Sequence, residues 1–161
     1  MNSAFASSSP RPGNALPAIL WGGLVSGVLD ITAAFVVYGR FGAKPIPLLQ
    51  GIAAGLLGTR AFAGGLPTAG LGLLCHFFIA FSAAAVYFAA SRWIGFAVRH
   101  AVVSGVVYGV IVYFFMNRIV VPLSEARKHP FSLEMMIIGV TIHIFCVGLP
   151  IAIAVRRYSL P

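Results

Sequence analysis

The chain has 161 residues, of which 60% are hydrophobic and 9% charged, and its mean hydropathy is +0.97. A soluble domain carries about 25% charged residues, so this composition excludes a water-facing fold and suits lipid as the solvent. The formal charge of +8 comes from Lys and Arg spread thinly between apolar runs, which fits anchoring at lipid headgroups and excludes a nucleic-acid interface.

Residues 1–15 (MNSAFASSSPRPGNA) are polar and rich in Ser and Pro, and Arg11 is their single charge. A secretory signal would place charge before a short apolar core and end on a small-residue cleavage site. Here the next apolar run is long enough to span, so the segment reads as a disordered tail before an uncleaved helix. Crossing the ~30 Å hydrocarbon core takes about 20 apolar residues, and four segments meet that length: 16–38, 67–90, 101–121 and 133–155. The expected fold is therefore all-α, a four-helix transmembrane bundle forming one domain over 16–158.

Local signals mark the ends of these spans. Gly39-Arg40 closes the first, Pro67 suits the opening turn of the second, and Ser91-Arg92 ends it. Pro122 stops the third, and Ser132 before Leu133-Glu134 reads as an N-cap with an acid in the first turn. Trp21, Tyr38, Tyr87, Trp93 and Tyr158 lie near segment ends, as interfacial aromatics do.

The first loop is unusual. Residues 45–58 (PIPLLQGIAAGLLG) are apolar and glycine-rich but short, which reads as either a re-entrant half-helix or a helix lying in the interface. A fifth crossing is disfavoured, because Thr59, Arg60 and Gly64-Gly65 interrupt the run.

With four spans, Arg11, Arg92, Arg99, Arg156 and Arg157 share one face, and Arg40, Lys44, Arg60, Arg118, Arg127 and Lys128 the other. The short loop holding Arg92 and Arg99, and the Arg156-Arg157 pair, weigh most under the positive-inside rule, placing both termini in the cytoplasm. Val25-Ser26-Gly27-Val28 with Arg40 recurs as Val103-Ser104-Gly105-Val106 with Arg118, and Gly72/His76 recurs as Gly139/His143. A parallel duplication of one hairpin would give this pattern, and chance matches in Gly/Val-rich segments would give it as well.

Ionisable or strongly polar groups inside a span cost about 2.5–3.5 kcal/mol near the centre, which makes Asp30, His76, Asn117 and His143, with Glu134 near the start of the fourth span, the most informative residues. Antiparallel packing sets the first four at similar depth, roughly 6–15 Å from one face at 1.5 Å per residue. Each follows a small or aromatic residue by one turn (Ser26, Gly72, Tyr113, Gly139), and small faces are where membrane helices pack closely. The groups are therefore expected to point into the bundle. One role is interhelical glue, Asp30 with His76 or Asn117 with a carbonyl; the other is a polar pocket for an ion, proton or solute, with Arg40 and Arg118 facing an anion.

His76 and His143 are also candidate metal ligands, or axial ligands for haem b, with Cys75 and Cys146 nearby. No Cys-x-x-Cys or His-x-x-x-His motif accompanies them, so no cofactor is the preferred expectation. Both cysteines lie in apolar runs and read as small buried hydrophobes, not a disulfide framework. No Gly-x-Ser-x-Gly, His-Glu-x-x-His or paired-carboxylate motif points to catalysis, and His100 and His129 read as loop or boundary residues.

The Gly27-x-x-Asp30 motif, LLQGIAAGLLG (48–58), TAGLGLLCHF (68–77) and YGVIVYFFMNRIVVPLS (108–124) together resemble a family of small, uncharacterised bacterial four-span integral membrane proteins. The resemblance covers nearly the whole chain beyond the tail. It implies a multi-pass protein of the inner membrane and supplies no activity. Three functions are carried forward: a non-enzymatic accessory, assembly or homo-oligomeric subunit whose partners are lipid and another membrane protein or itself; a small transporter or channel component; and a haem-binding subunit.

Overall fold

The structure, a computed structural model, describes residues 14–126 and 130–159. The tail expectation for 1–13, and the charges of Arg11, Arg127, Lys128 and His129, lie outside the described residues. Among the described residues every element is helical, and five helices are long and apolar enough to cross a membrane.

Helix α1 (Ala15–Arg40) runs two residues past the expected end at Tyr38. Its small residues Ala18, Gly22, Gly23, Ser26 and Gly27 form the buried face, which brings neighbouring backbones close. After a turn at Gly42, whose φ of 85° suits glycine, α2 (Pro45–Leu57) begins with proline in its first turn. It ends at Gly58, φ 58°. A 3-10 turn over Gly58–Ala63 continues the helical path. This corrects the reading of the first loop: Thr59 and Arg60 do not end the helical stretch, and Pro45–Ala63 reaches membrane-spanning length and apolarity.

Helix α3 (Gly65–Trp93) is 29 residues long, extending past the expected 67–90 at both ends. Gly65 starts it at φ 60°, two residues before Pro67. The loop expected over 91–100 is itself largely helical, with α4 at Gly95–Arg99. Helix α5 (Ala101–Phe115), a π-helical turn at Met116–Val120 and α6 (Val121–Leu123) form one continuous rod. It stops one residue after Pro122, which has no N–H to offer the ladder. The last rod comprises α7 (Leu133–Ile142), a second π turn at His143–Gly148 and α8 (Leu149–Ser159). Ser132 caps it as expected, its hydroxyl accepting from Met135 N at 3.4 Å.

The long helices run antiparallel. Along α1 the closest partners on α3 fall in number as α1 rises: Gly22 faces Ala84, Gly23 faces Phe81, and Gly27 faces Phe77 and Ala80. Helix α1 also packs on the last rod, where Gly22 meets Ile151 and Ala154 and Asn14 N donates to Tyr158 O at 3.3 Å. Helix α5 crosses the same rod at Gly105 against Gly148 to Ala152, and at Gly109 against His143 and Ile144.

Polar clamps join the α3–α4–α5 end. Tyr87 donates to Ala97 O (3.1 Å) and pairs with Ser104 Oγ (2.7 Å), while Tyr108 donates to Ala83 O (2.7 Å). Tyr87 is only 4% exposed, which corrects its reading as an interfacial ring; Trp93, at 90%, fits that reading. The core cluster of Ala18, Ala84, Tyr87, Val147, Ile151 and Val155 lies in this half of the bundle.

Helix α2 lies across α3. Gly72 of α3 sits under the backbone of Leu49 and Ala53, and buried Gln50 donates to Gly65 O at 3.0 Å. Further along, Gly55 O accepts from Glu125 N at 3.1 Å. Helix α2 therefore starts beside the end of α1, crosses α3 and finishes against the end of α6.

Candidate functional site

Asp30 and His76 come together as expected. The His76 ring, 11% exposed in its side chain, reaches from α3 to α1, with Nδ1 at 4.0 Å from an Asp30 carboxylate oxygen. Its Nε2 lies 2.8 Å from Gly27 O. A carbonyl oxygen only accepts, so Nε2 carries a proton and donates. That fixes the tautomer: Nδ1 faces Asp30 either as the acceptor of a neutral ring or as the second donor of an imidazolium. The two groups on neighbouring helices are thus within ion-pair reach, at a separation longer than a hydrogen bond. Gly27 makes the bond possible, since a side chain there would collide with Phe77 (2.7 Å from a built Cβ).

The pair lies at the deep end of the range read from the sequence. Counting 10 residues from Arg40 and 11 from Gly65, at 1.5 Å each, places it about 15 Å from those helix ends. Asp30 is 21% exposed in its side chain and accepts no hydrogen bond among the described residues. Tyr38, two turns along the same face of α1, and Cys146 on the last rod lie within electrostatic range of it.

His143 and Asn117 do not join this pair. Both sit in the π turns, where the helical ladder widens, and such turns are frequent at functional positions. Each bonds back to its own helix: His143 Nδ1 donates to Gly139 O (2.9 Å) and Asn117 Nδ2 donates to Tyr113 O (3.0 Å). The His143 ring packs edge-on against Tyr113, centroids 5.4 Å apart. Asn117 is exposed on the outside of the bundle, which corrects the expectation that all four groups point inward. Arg40, Arg118 and Glu134 are exposed as well, and no ion pair joins them to the central residues among the described residues.

The two candidate haem-ligand histidines differ in which ring nitrogen is held by a carbonyl. His143 keeps Nε2 free with Nδ1–H on a carbonyl, an orientation a ligand can use. His76 has the reverse arrangement, its Nε2 held by Gly27. No group of three or more His, Cys, Asp or Glu with metal-binding geometry occurs among the described residues. Cys75 and Cys146 are free and half-buried. The repeated motifs also make different contacts: Gly27 packs on Phe77 and Gly105 on Gly148, while His76 bonds across to α1 and His143 bonds within its own helix.

Three residues that matter to this architecture were given no contact role from sequence. Gln50 anchors α2 to α3, Tyr108 ties α5 to α3, and Ser104 completes the Tyr87 clamp. A glutamine within an apolar, Pro/Gly-punctuated run was the available signal for the first.

These features define a class: an all-helical protein whose five long apolar helices suit a membrane. Comparison with protein-family models, with curated proteins and with solved structures gives no match.

Proposed function

We propose that this chain is a non-enzymatic multi-pass protein of a bacterial inner membrane whose role is lateral assembly, as a self-associating or accessory subunit. The observation that carries this is Asn117. It lies exposed about 9 Å from the Leu123 end of the 23-residue rod, with its Oδ1 unpaired among the described residues. A polar amide facing lipid at that depth is unfavourable until a neighbouring helix satisfies it, and such interhelical hydrogen bonds contribute about 0.6–2 kcal/mol. The first test is energy transfer between labelled copies in liposomes, together with mild-detergent pull-down. Asn117→Leu is expected to weaken recovery of the partner, self or other, by about threefold to thirtyfold, the range those energies imply. Association unaffected by this change would sink the reading.

The chain crosses four times in this proposal, with α2 re-entrant. Support comes from the antiparallel pairing of α1 with α3: Arg40 and Gly65 end on one face, so the segment between them must return to the face it left. Both termini are cytoplasmic, the face bearing Arg92, Arg99, Arg156 and Arg157 close to the spans. In a Cys75→Ser/Cys146→Ser background, single cysteines at Lys44 and Arg60 are expected to react with an impermeant maleimide from the same side. Cysteines at Arg99 and Arg156 should react from the other. Labelling of Lys44 and Arg60 positions from opposite sides would mean that α2 crosses.

A second reading, a small proton-coupled transport component, is favoured by a carboxylate and an imidazole, Asp30 and His76, lying 4.0 Å apart inside the apolar helices.

A further inference from the structure

The outer groove between α1 and α8 has a polar mouth and an apolar floor. Its volume is about 360 Å³. Trp21 and Val25 line it from α1, and Pro150, Ile153 and Ala154 from the last rod; Arg157 and Tyr158 stand at its open end. Positions 150, 153, 154 and 157 share one helical face, so the groove follows that face from Arg157 inward for about 10 Å. Tyr158 is tied in place through its carbonyl, which accepts from Asn14 N, and its ring packs on the core.

The mouth is chemically one-sided. The Arg157 guanidinium and the Trp21 indole N–H are donors, and neither has a partner among the described residues. No Asp or Glu lines the groove. Trp21 is 53% exposed, one turn deeper than Arg157, at the level where an indole bridges headgroup and acyl regions. Arg92, on the same face of the bundle, stacks instead over Phe88 at 6.0 Å.

We propose that this groove is a binding site for one anionic glycerophospholipid. Its phosphate sits at Arg157, its glycerol ester region at Trp21, and one acyl chain lies along Val25, Ile153 and Pro150. Charge complementarity selects the headgroup, because a guanidinium forms paired hydrogen bonds to phosphate oxygens. The apolar floor running into the bilayer selects a lipid over a soluble phosphate. This site is independent of the lateral-assembly reading and of the Asp30–His76 pair.

Native mass spectrometry of the full chain, with dioleoylphosphatidylglycerol or dioleoylphosphatidylcholine added in equal amounts, tests it. The wild type is expected to retain one phosphatidylglycerol per chain in preference to phosphatidylcholine. Arg157→Gln should lower that preference about fivefold, the factor one basic side chain supplies at an anionic headgroup. Arg156→Gln, which removes the same charge outside the groove, should not. Val25→Trp, which keeps the charge and fills the floor, should lower retention of phosphatidylglycerol while helical content stays at the wild-type value; it also stands as the test should Arg157→Gln not fold. Equal losses in Arg157→Gln and Arg156→Gln would reduce the effect to surface charge and overturn the proposal. So would wild-type retention in Val25→Trp, or displacement of the lipid by glycerol phosphate at equal concentration.

Discussion

Replacing Gly109 by alanine is expected to lower the stability of the folded bundle by about 1–3 kcal/mol, the usual range for overpacking a tight contact. A Cβ at this position would fall 2.6 Å from both His143 O and Ile144 Cα, backbone atoms that cannot turn aside as a side-chain tip does. Helices α5 and the last rod must separate or rotate, and that strain also reaches Gly105, where a Cβ would lie 3.0 Å from Gly148 O. Gly70→Ala is the matched control. It sits in α3 with nothing within 4 Å of a built Cβ, and should be neutral or stabilising, since alanine is the better helix former. Thermal unfolding of both variants in one detergent checks this; a Gly109→Ala midpoint equal to that of Gly70→Ala would show that the close crossing is not required.

The second large effect concerns Asp30 and His76. His76→Leu is expected to destabilise the bundle by about 1–3 kcal/mol, because it removes the interhelical hydrogen bond to Gly27 O and leaves a carboxylate without its partner. The lower end of the buried-pair range applies, since the side chains are 11% and 21% exposed. Replacing both, as Asp30→Leu/His76→Leu, should recover most of the loss, as apolar replacement of a whole buried pair commonly does. A double-mutant cycle of unfolding free energies measures the coupling; additive single effects would mean that the 4.0 Å approach contributes nothing. The same double variant, folded but lacking both ionisable groups, discriminates the two functional readings. Wild-type proton flux in proteoliposomes that disappears in this variant supports transport, and flux equal to that of empty vesicles removes it.

Both predictions depend on features of different legibility. The small residues Gly22, Gly27, Gly105 and Gly109 stand out in the sequence because they recur along helix faces, and the structure buries them. Their partners do not stand out: that Gly109 meets the carbonyl of His143, and that His76 reaches Gly27, depends on the register of helices distant in the chain. Asn117 illustrates the limit. Depth is set by counting along one helix, so its level in the bilayer could be estimated from sequence. Its direction depends on how the rod is rotated, and the π turn at Met116–Val120 alters that rotation locally. A periodicity of 3.6 cannot anticipate it.

The helix α2 differs for another reason. Its residues are as apolar as those of the crossing helices, and composition alone cannot separate a short crossing from a segment lying across a neighbour. What places it is contact: Gly72 beneath Leu49, Gln50 on Gly65 O, and Gly55 O on Glu125 N.

The amino-acid sequence by itself determined the apolar character of the chain, the all-helical class and the positions of four of the five long apolar helices. These follow from the transfer of side chains into lipid and from the backbone's need to satisfy its own hydrogen bonds there, both local properties. Only the tertiary structure decided which polar groups meet, which are exposed, and how the segment between α1 and α3 is laid, because each depends on the relative rotation and register of packed helices. Of the polar residues visible in the sequence, Asp30 and His76 thus became neighbours 4.0 Å apart, His143 a ring held within its own helix, and Asn117 an exposed amide.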